Sequence, residues 1–200
     1  MTQERSYYRK EGFSKSRQER RRKRRAKKGR AGFIELVVTL GVAFVLIFGI
    51  VRPFVIQPFW IPSESMLPTL EVGDRLFVDK FIYRFWEPEV GDIVVFDGLE
   101  TDDELIKRVV AVAGDRVKVR NGVLRVNGEF PEEPYARAAI FPDGSEFGPT
   151  KLQEGEVFVM GDNRGNSRDS RFFGPVPIED IQGEAFLRFW PLSRIGTLQS

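Results

Sequence analysis

Followed as a pattern of apolar and polar positions, the 200-residue chain falls into parts of unequal character. From residue 33 to 51 it reads FIELVVTLGVAFVLIFGIV, where only Glu35 and Thr39 are polar. Such a run leaves no polar helical face for solvent. Its nineteen residues approach the roughly 20 that a helix needs to cross a bilayer. The pattern therefore predicts a single transmembrane anchor over 32–52 rather than a buried core helix. From residue 61 onward the period changes to two. RLFVD (75–79), GDIVVF (91–96), IKRVVAVAG (106–114), RVKVRNGVLRVNGE (116–129), GEVFVMGD (155–162) and GEAFLRFW (183–190) are short and rich in β-branched or aromatic residues. Gly, Pro, Asp or Asn bound them, as they bound strands. Asn121-Gly122 between alternating apolar residues carries the signature of a type I′ hairpin. Residues 127–155, rich in Pro, Gly and charge, read as an excursion or small subdomain between strands. No long amphipathic helix pattern follows residue 52. The expected fold class is mainly β: a helical anchor followed by an antiparallel β body over 53–200.

Charge separates these parts further. Residues 1–30 hold fourteen Lys/Arg and three Glu, whereas the other 170 residues are net −9. A run of like charges predicts a disordered tail over 1–31. It also orients the anchor, because basic flanks stay in the cytoplasm and Arg52 is the only basic residue in the twenty after Val51. The body is then expected on the extracytoplasmic side of the cell membrane. The tail needs no nucleic acid to explain it, since contact with anionic headgroups is worth roughly 1 kcal/mol per basic residue. A cleaved leader needs a short basic start and a small-x-small site after the apolar run. The thirty-residue start and the IVRPFV that follows provide neither.

The chain has no cysteine and no histidine. That removes thiol catalysis, thiolate or imidazole zinc sites and the Ser-His-Asp arrangement, and no metal or cofactor is expected. Chemistry at the two serines of IPSESMLPTL (61–70) then needs another base. A lysine serves only when neutral, and moving it from 10.4 to about 7 costs roughly 4–5 kcal/mol at 1.36 per unit. Burial among apolar groups supplies such a shift. Lys107 is the best placed, because LIKRVVAVAG sends Leu105, Lys107 and Val109 to one face and Ile106, Arg108 and Val110 to the other. If one face is core, one cation is buried. The pattern alone favours the plainer alternative, an edge strand whose two cations reach water. Lys80 and Lys118 have more polar neighbours, and Lys151 falls in the excursion. GDNRGNSRDSRFFGPVP (161–177) is no calcium loop, because Arg164 stands at a ligand position and Phe173 where the final Glu belongs. A loop with Asp162, Asn163, Arg164, Ser167, Asp169 and Arg171 can instead form a network that orients a neighbour.

IPSESMLPTLEVGDRLFVDK, GDIVVF, IKRVVAVAGD and GDNRGNSRDSRFFGPV, in this order behind an amino-terminal anchor, resemble bacterial type I signal peptidases. These are membrane-bound Ser/Lys endopeptidases that cut signal peptides from exported preproteins. The resemblance implies Ser65 as nucleophile and Lys107 as general base. It implies that Ser63 joins the Ser65 N–H in the oxyanion hole and that Ser167 orients the lysine. Asp169 and Arg171 match a structural ion pair, and Phe59, Ile61, Met66, Leu70 and Ile106 match positions lining small substrate pockets. It further implies an inserted β subdomain, here about 116–152, with preproteins and the lipid bilayer as partners. Glu64, where the family often has a small residue, and Gly165, often Asp or Asn, depart from the pattern away from the dyad. Two other readings compete. A self-cleaving repressor-type protease lacks a reason for the anchor. A membrane-anchored β-domain that binds peptides or envelope components without catalysis predicts no effect of altering Ser65 or Lys107.

Overall fold

The computed structural model describes residues 35–46, 49, 55–99, 103–136 and 145–198. The chain divides into two units, 1–51 and 52–200. In the first, residues 35–46 are helical, and Thr39 Oγ1 donates to the Glu35 carbonyl at 2.8 Å. Among the described residues no helix is long and apolar enough to cross a membrane. The basic tail and, apart from Gly49, the rest of the expected anchor lie outside the described residues.

The second unit is built of antiparallel strands. Its large sheet takes β1 (Ile56–Trp60), β2 (Arg75–Asp79), β3 (Ile93–Asp97), β4 (Glu104–Ala111), β8 (Glu156–Met160), β9 (Val176–Pro177), β10 (Ile181–Trp190) and β11 (Gly196–Thr197). The spatial order is β1-β2-β10-β3-β4-β8-β9, with β11 against β10. A second sheet, ordered β6-β5-β7, takes β5 (Arg116–Arg120), β6 (Val123–Val126) and β7 (Phe147–Lys151). Asn121 and Gly122 turn the β5–β6 hairpin with φ of 49° and 75°, the left-handed pair that a type I′ turn demands. The second sheet packs Val117, Val119 and Leu124 onto Phe158 and Met160 of β8.

β1 and β7 carry no strand signal in the sequence, for one reason. Pro58 and Pro149 interrupt them, and a proline is accommodated because both strands are sheet edges, where its missing N–H is not needed. β4 is the opposite case. It pairs with β3 on one side and β8 on the other, so the edge-strand alternative for Lys107 and Arg108 does not hold. Both side chains are buried, at 3% and 2% exposure.

One further buried acid has a measurable consequence. Glu184 of β10 lies near Asp92, Asp79 and Glu89, and burial followed by these charges pushes its carboxyl up to about 7. A carboxyl with a raised folded-state value contributes stability below its ordinary value and loses it as pH rises through 7. Glu184→Gln is therefore expected to raise the thermal midpoint at pH 8.5 and leave it unchanged or lower at pH 4. The gain at high pH is about 1–3 kcal/mol, the scale of one to two pKa units. Thermal melts at the two pH values check this.

Candidate active site

Chain geometry brings Ser65 to β4. The loop between β1 and β2 is closed at its base by Ile61 N–H to the Asp74 carbonyl at 3.0 Å and Gly73 N–H to the Ile61 carbonyl at 2.9 Å. Ile61, Met66 and Leu70 are wholly buried and fasten the loop to the core formed with Leu76, Val95 and Ile106. Burying three such side chains stabilises the loop by roughly 1.5–3 kcal/mol each. Arg188 adds a bond to the Thr69 carbonyl at 2.8 Å. The loop is thus anchored on both sides of Ser65, which is itself 8% exposed.

Lys107 Nζ lies 3.0 Å from Ser65 Oγ and donates to the Ile106 carbonyl at 2.8 Å. That leaves the amine, in its neutral form, a lone pair free to accept the Ser65 proton. Burial draws the Lys107 ammonium down to about 8, against the opposing charges of Asp169 and Asp162. Ser63 Oγ stands 3.4 Å from Ser65 Oγ. A cleft of about 620 Å³ opens beside the pair, lined by Phe59, Ser63, Ile106 and Lys107 among others. Of the five expected pocket residues only Phe59 and Ile106 line it. Ile61, Met66 and Leu70 face the core instead, because the apolar side chains of the loop serve to hold it down.

The loop after β8 supports the pair from behind. Asp169 caps the short helix α1 (Ser170–Phe173) by accepting from Arg171 N–H. Its carboxylate also takes Arg171 Nε at 2.7 Å and Gly161 N–H at 3.0 Å. The Asp169–Arg171 side chains have no solvent exposure, and Arg171 further donates to the Arg164 and Ser167 carbonyls at 2.9 and 3.3 Å. Asn163 N–H donates to the Ser65 carbonyl at 3.0 Å, and Asn163 Nδ2 to the Glu64 carbonyl at 3.0 Å. A Cβ at Gly161 would strike Ser167 Oγ and the Ser65 carbonyl, so only glycine lets this loop approach Ser65 so closely. Ser167 Oγ is buried beside Gly161 without a hydrogen-bond partner, and no bond to Lys107 forms. The Glu64 carboxylate accepts from Asn166 Nδ2 at 3.5 Å. Gly165 sits in the exposed turn between Arg164 and Asn166.

A buried pair that the sequence leaves unassigned stands next to the site. Arg108 Nε and Nη2 meet the two Asp162 oxygens at 3.0 and 2.9 Å, and Thr69 Oγ1 donates to the same carboxylate at 2.5 Å. The Lys-Arg sequence on one strand was the available signal: an interior β4 buries both cations, so each needs its own compensation. Among the described residues no group of three or more carboxylates converges to hold a metal ion.

The family described as signal peptidase, peptidase S26, matches residues 33–190. A probable signal peptidase I-2 from Synechocystis sp. is 44% identical over 172 residues, spanning 83% of this chain and 77% of its own. A signal peptidase I from Leptolyngbya laminosa is 44% identical over 173 residues, spanning 82% of this chain and 83% of its own. A solved structure of a signal peptidase I from Enterococcus faecalis is 26% identical with a TM-score of 0.42, over 50% of this chain and 97% of that one.

Proposed function

From the premise that this chain belongs to the signal peptidase family, peptidase S26, we propose that its Ser65 and Lys107 form the catalytic dyad. The protein is a serine endopeptidase that removes signal peptides from preproteins. The observation that carries the dyad is the 3.0 Å approach of a buried lysine to a buried serine, with no histidine anywhere in the chain.

The chemistry runs in two halves. Neutral Lys107 takes the Ser65 proton as Oγ attacks the scissile carbonyl. The oxyanion is held by the Ser65 N–H and the Ser63 hydroxyl, a donor type worth about 2.7–4 kcal/mol in other serine hydrolases. The lysine ammonium returns the proton to the leaving amine, which is the new amino terminus of the mature protein. A water that gives its proton to the same lysine then hydrolyses the acyl-enzyme and frees Ser65. Asp169 and Arg171 hold the supporting loop. Phe59 and Ile106 give the cleft shallow apolar walls suited to small side chains before the cut. An extended substrate strand fits such a site by pairing with strand edges.

The membrane is part of this reading. The basic segment 1–31, the apolar segment 32–52 and the positive-inside rule support a cytoplasmic tail, a single anchor and an extracytoplasmic body over 53–200, with 116–152 as an insert. Trp60, Phe85, Trp86 and Trp190, between 46% and 66% exposed, suit contact with a bilayer interface. Detergent-solubilised protein incubated with a preprotein is expected to release one mature product, cut after a small-x-small sequence. Mapping the new amino terminus by mass spectrometry checks it. An intact preprotein favours the non-catalytic peptide-binding alternative.

A further inference from the structure

We propose that Glu133 and Tyr135 are positioning residues: two side chains sent from the excursion that follows β6 to fix the segment holding Ser65. This rests on the Ser65–Lys107 reading. Residues 127–136 have little regular structure, and Pro131 and Pro134 stiffen them. From this segment the Glu133 carboxylate receives both terminal nitrogens of Arg164, at 2.9 and 2.5 Å. The third nitrogen of Arg164, Nε, donates to the Gly161 carbonyl at 3.0 Å. Two positions on, the Tyr135 ring lies under the Arg108 guanidinium, 4.1 Å from its carbon to the ring centroid. Arg108 in turn grips Asp162 through two bonds and the Gly91 carbonyl through a third at 2.7 Å.

The four consecutive residues 161–164 are therefore held from the excursion at Arg164 and, through Arg108, at Asp162. They are the residues that hold the nucleophile. Asn163 N–H bonds the Ser65 carbonyl, Gly161 abuts it, and Asp162 bonds Thr69 four residues beyond Ser65. Arg164 is 5% exposed. Without Glu133 it becomes a buried cation lacking its counter-charge, which a structure relieves by moving. Movement at 161–164 is passed to Ser65 through the Asn163 bond, and an error of about 1 Å in such a site costs on the order of 100-fold in rate. Glu133 and Tyr135 do not line the cleft beside Ser63 and Lys107, so substrate affinity is left alone.

The test is steady-state cleavage of a preprotein by the full-length detergent-solubilised enzyme, at a temperature well below each variant's melting point. Glu133→Ala and Tyr135→Leu are expected to lower kcat about 10–100-fold with KM within twofold. Tyr135→Phe, which keeps the ring over Arg108, is expected to retain wild-type kcat. Glu133→Ala and Arg164→Ala are expected to be non-additive, as partners in one network are. Wild-type kcat in both Glu133→Ala and Tyr135→Leu, with Ser65→Ala inactive, overturns this inference and spares the dyad. A loss carried by KM, or a Tyr135→Phe as slow as Tyr135→Leu, also overturns it. Cleavage at close to the wild-type rate in Ser65→Ala overturns the dyad and this inference together.

Discussion

Ser65→Ala is expected to lower kcat for preprotein cleavage by about a millionfold, the cost of removing the nucleophile in a comparable serine protease. The expectation follows from position. Ser65 Oγ is the atom that the Lys107 amine reaches at 3.0 Å, and Ser63, the other serine of the loop, stands 3.4 Å from Ser65 Oγ without a hydrogen bond to the lysine. The loss is one of chemistry, because the Ser65 side chain makes no contact on which the loop depends. Ile61, Met66 and Leu70 hold the loop by burial, and Asn163 holds it through the Ser65 carbonyl, which alanine retains. KM and the melting temperature should therefore stay near wild type, and a residual rate over water should survive from the oxyanion donors and substrate binding. Single-turnover assays with excess enzyme, combined with a thermal melt, separate this outcome from misfolding.

Lys107→Met is expected to lower kcat about 10⁴-fold or more, since removing the base of a comparable serine protease unit costs nearly as much as removing the whole unit. Methionine keeps an unbranched chain of similar length and removes only the amine. The double variant Ser65→Ala/Lys107→Met should be no slower than Ser65→Ala alone, because the two groups act in one step. Stability should move the other way. A lysine drawn down to about 8 by burial destabilises the fold wherever the unfolded chain holds the proton more tightly. That penalty is fully present below pH 8 and disappears as pH rises toward the ordinary lysine value. At pH 6 Lys107→Met is thus expected to melt higher than the wild type, by an amount on the order of 3 kcal/mol. At pH 11 the advantage should be gone. A variant that is more stable and yet inactive marks a group kept for chemistry.

What the amino-acid pattern reveals, and what it hides, divides along physical lines. Arg75–Asp79 and the Asn121-Gly122 hairpin are legible because their determinants are local: alternation in one, left-handed backbone in the other. β1 and β7 are hidden because Pro58 and Pro149 break the local signal, and only their place at a sheet edge makes them strands. Whether Lys107 is buried depends on β4 having a neighbour on each side, which is a property of topology and not of the strand itself. The chemistry of Ser65, Lys107, Asp169 and Arg171 is suggested by a resemblance of motifs; their convergence across 42 residues or more is tertiary. Ile61, Met66 and Leu70 look alike in sequence whether they line a pocket or anchor a loop, and the packing puts them in the core. Glu133 and Tyr135 leave no trace in the pattern at all. They sit in a Pro-rich excursion where any charge or aromatic reads as solvated.

In the proposed mechanism a neutral, buried Lys107 is the base that activates Ser65. The pH dependence of kcat/KM reports the ionisation of the free enzyme and addresses it directly. With Lys107 at about 8, kcat/KM should rise close to tenfold per unit from pH 6 to 7.5 and level off above about pH 9. A profile flat across pH 6–9, or one still climbing close to tenfold per unit between about pH 8.5 and 9.5 as a free lysine would dictate, contradicts this assignment.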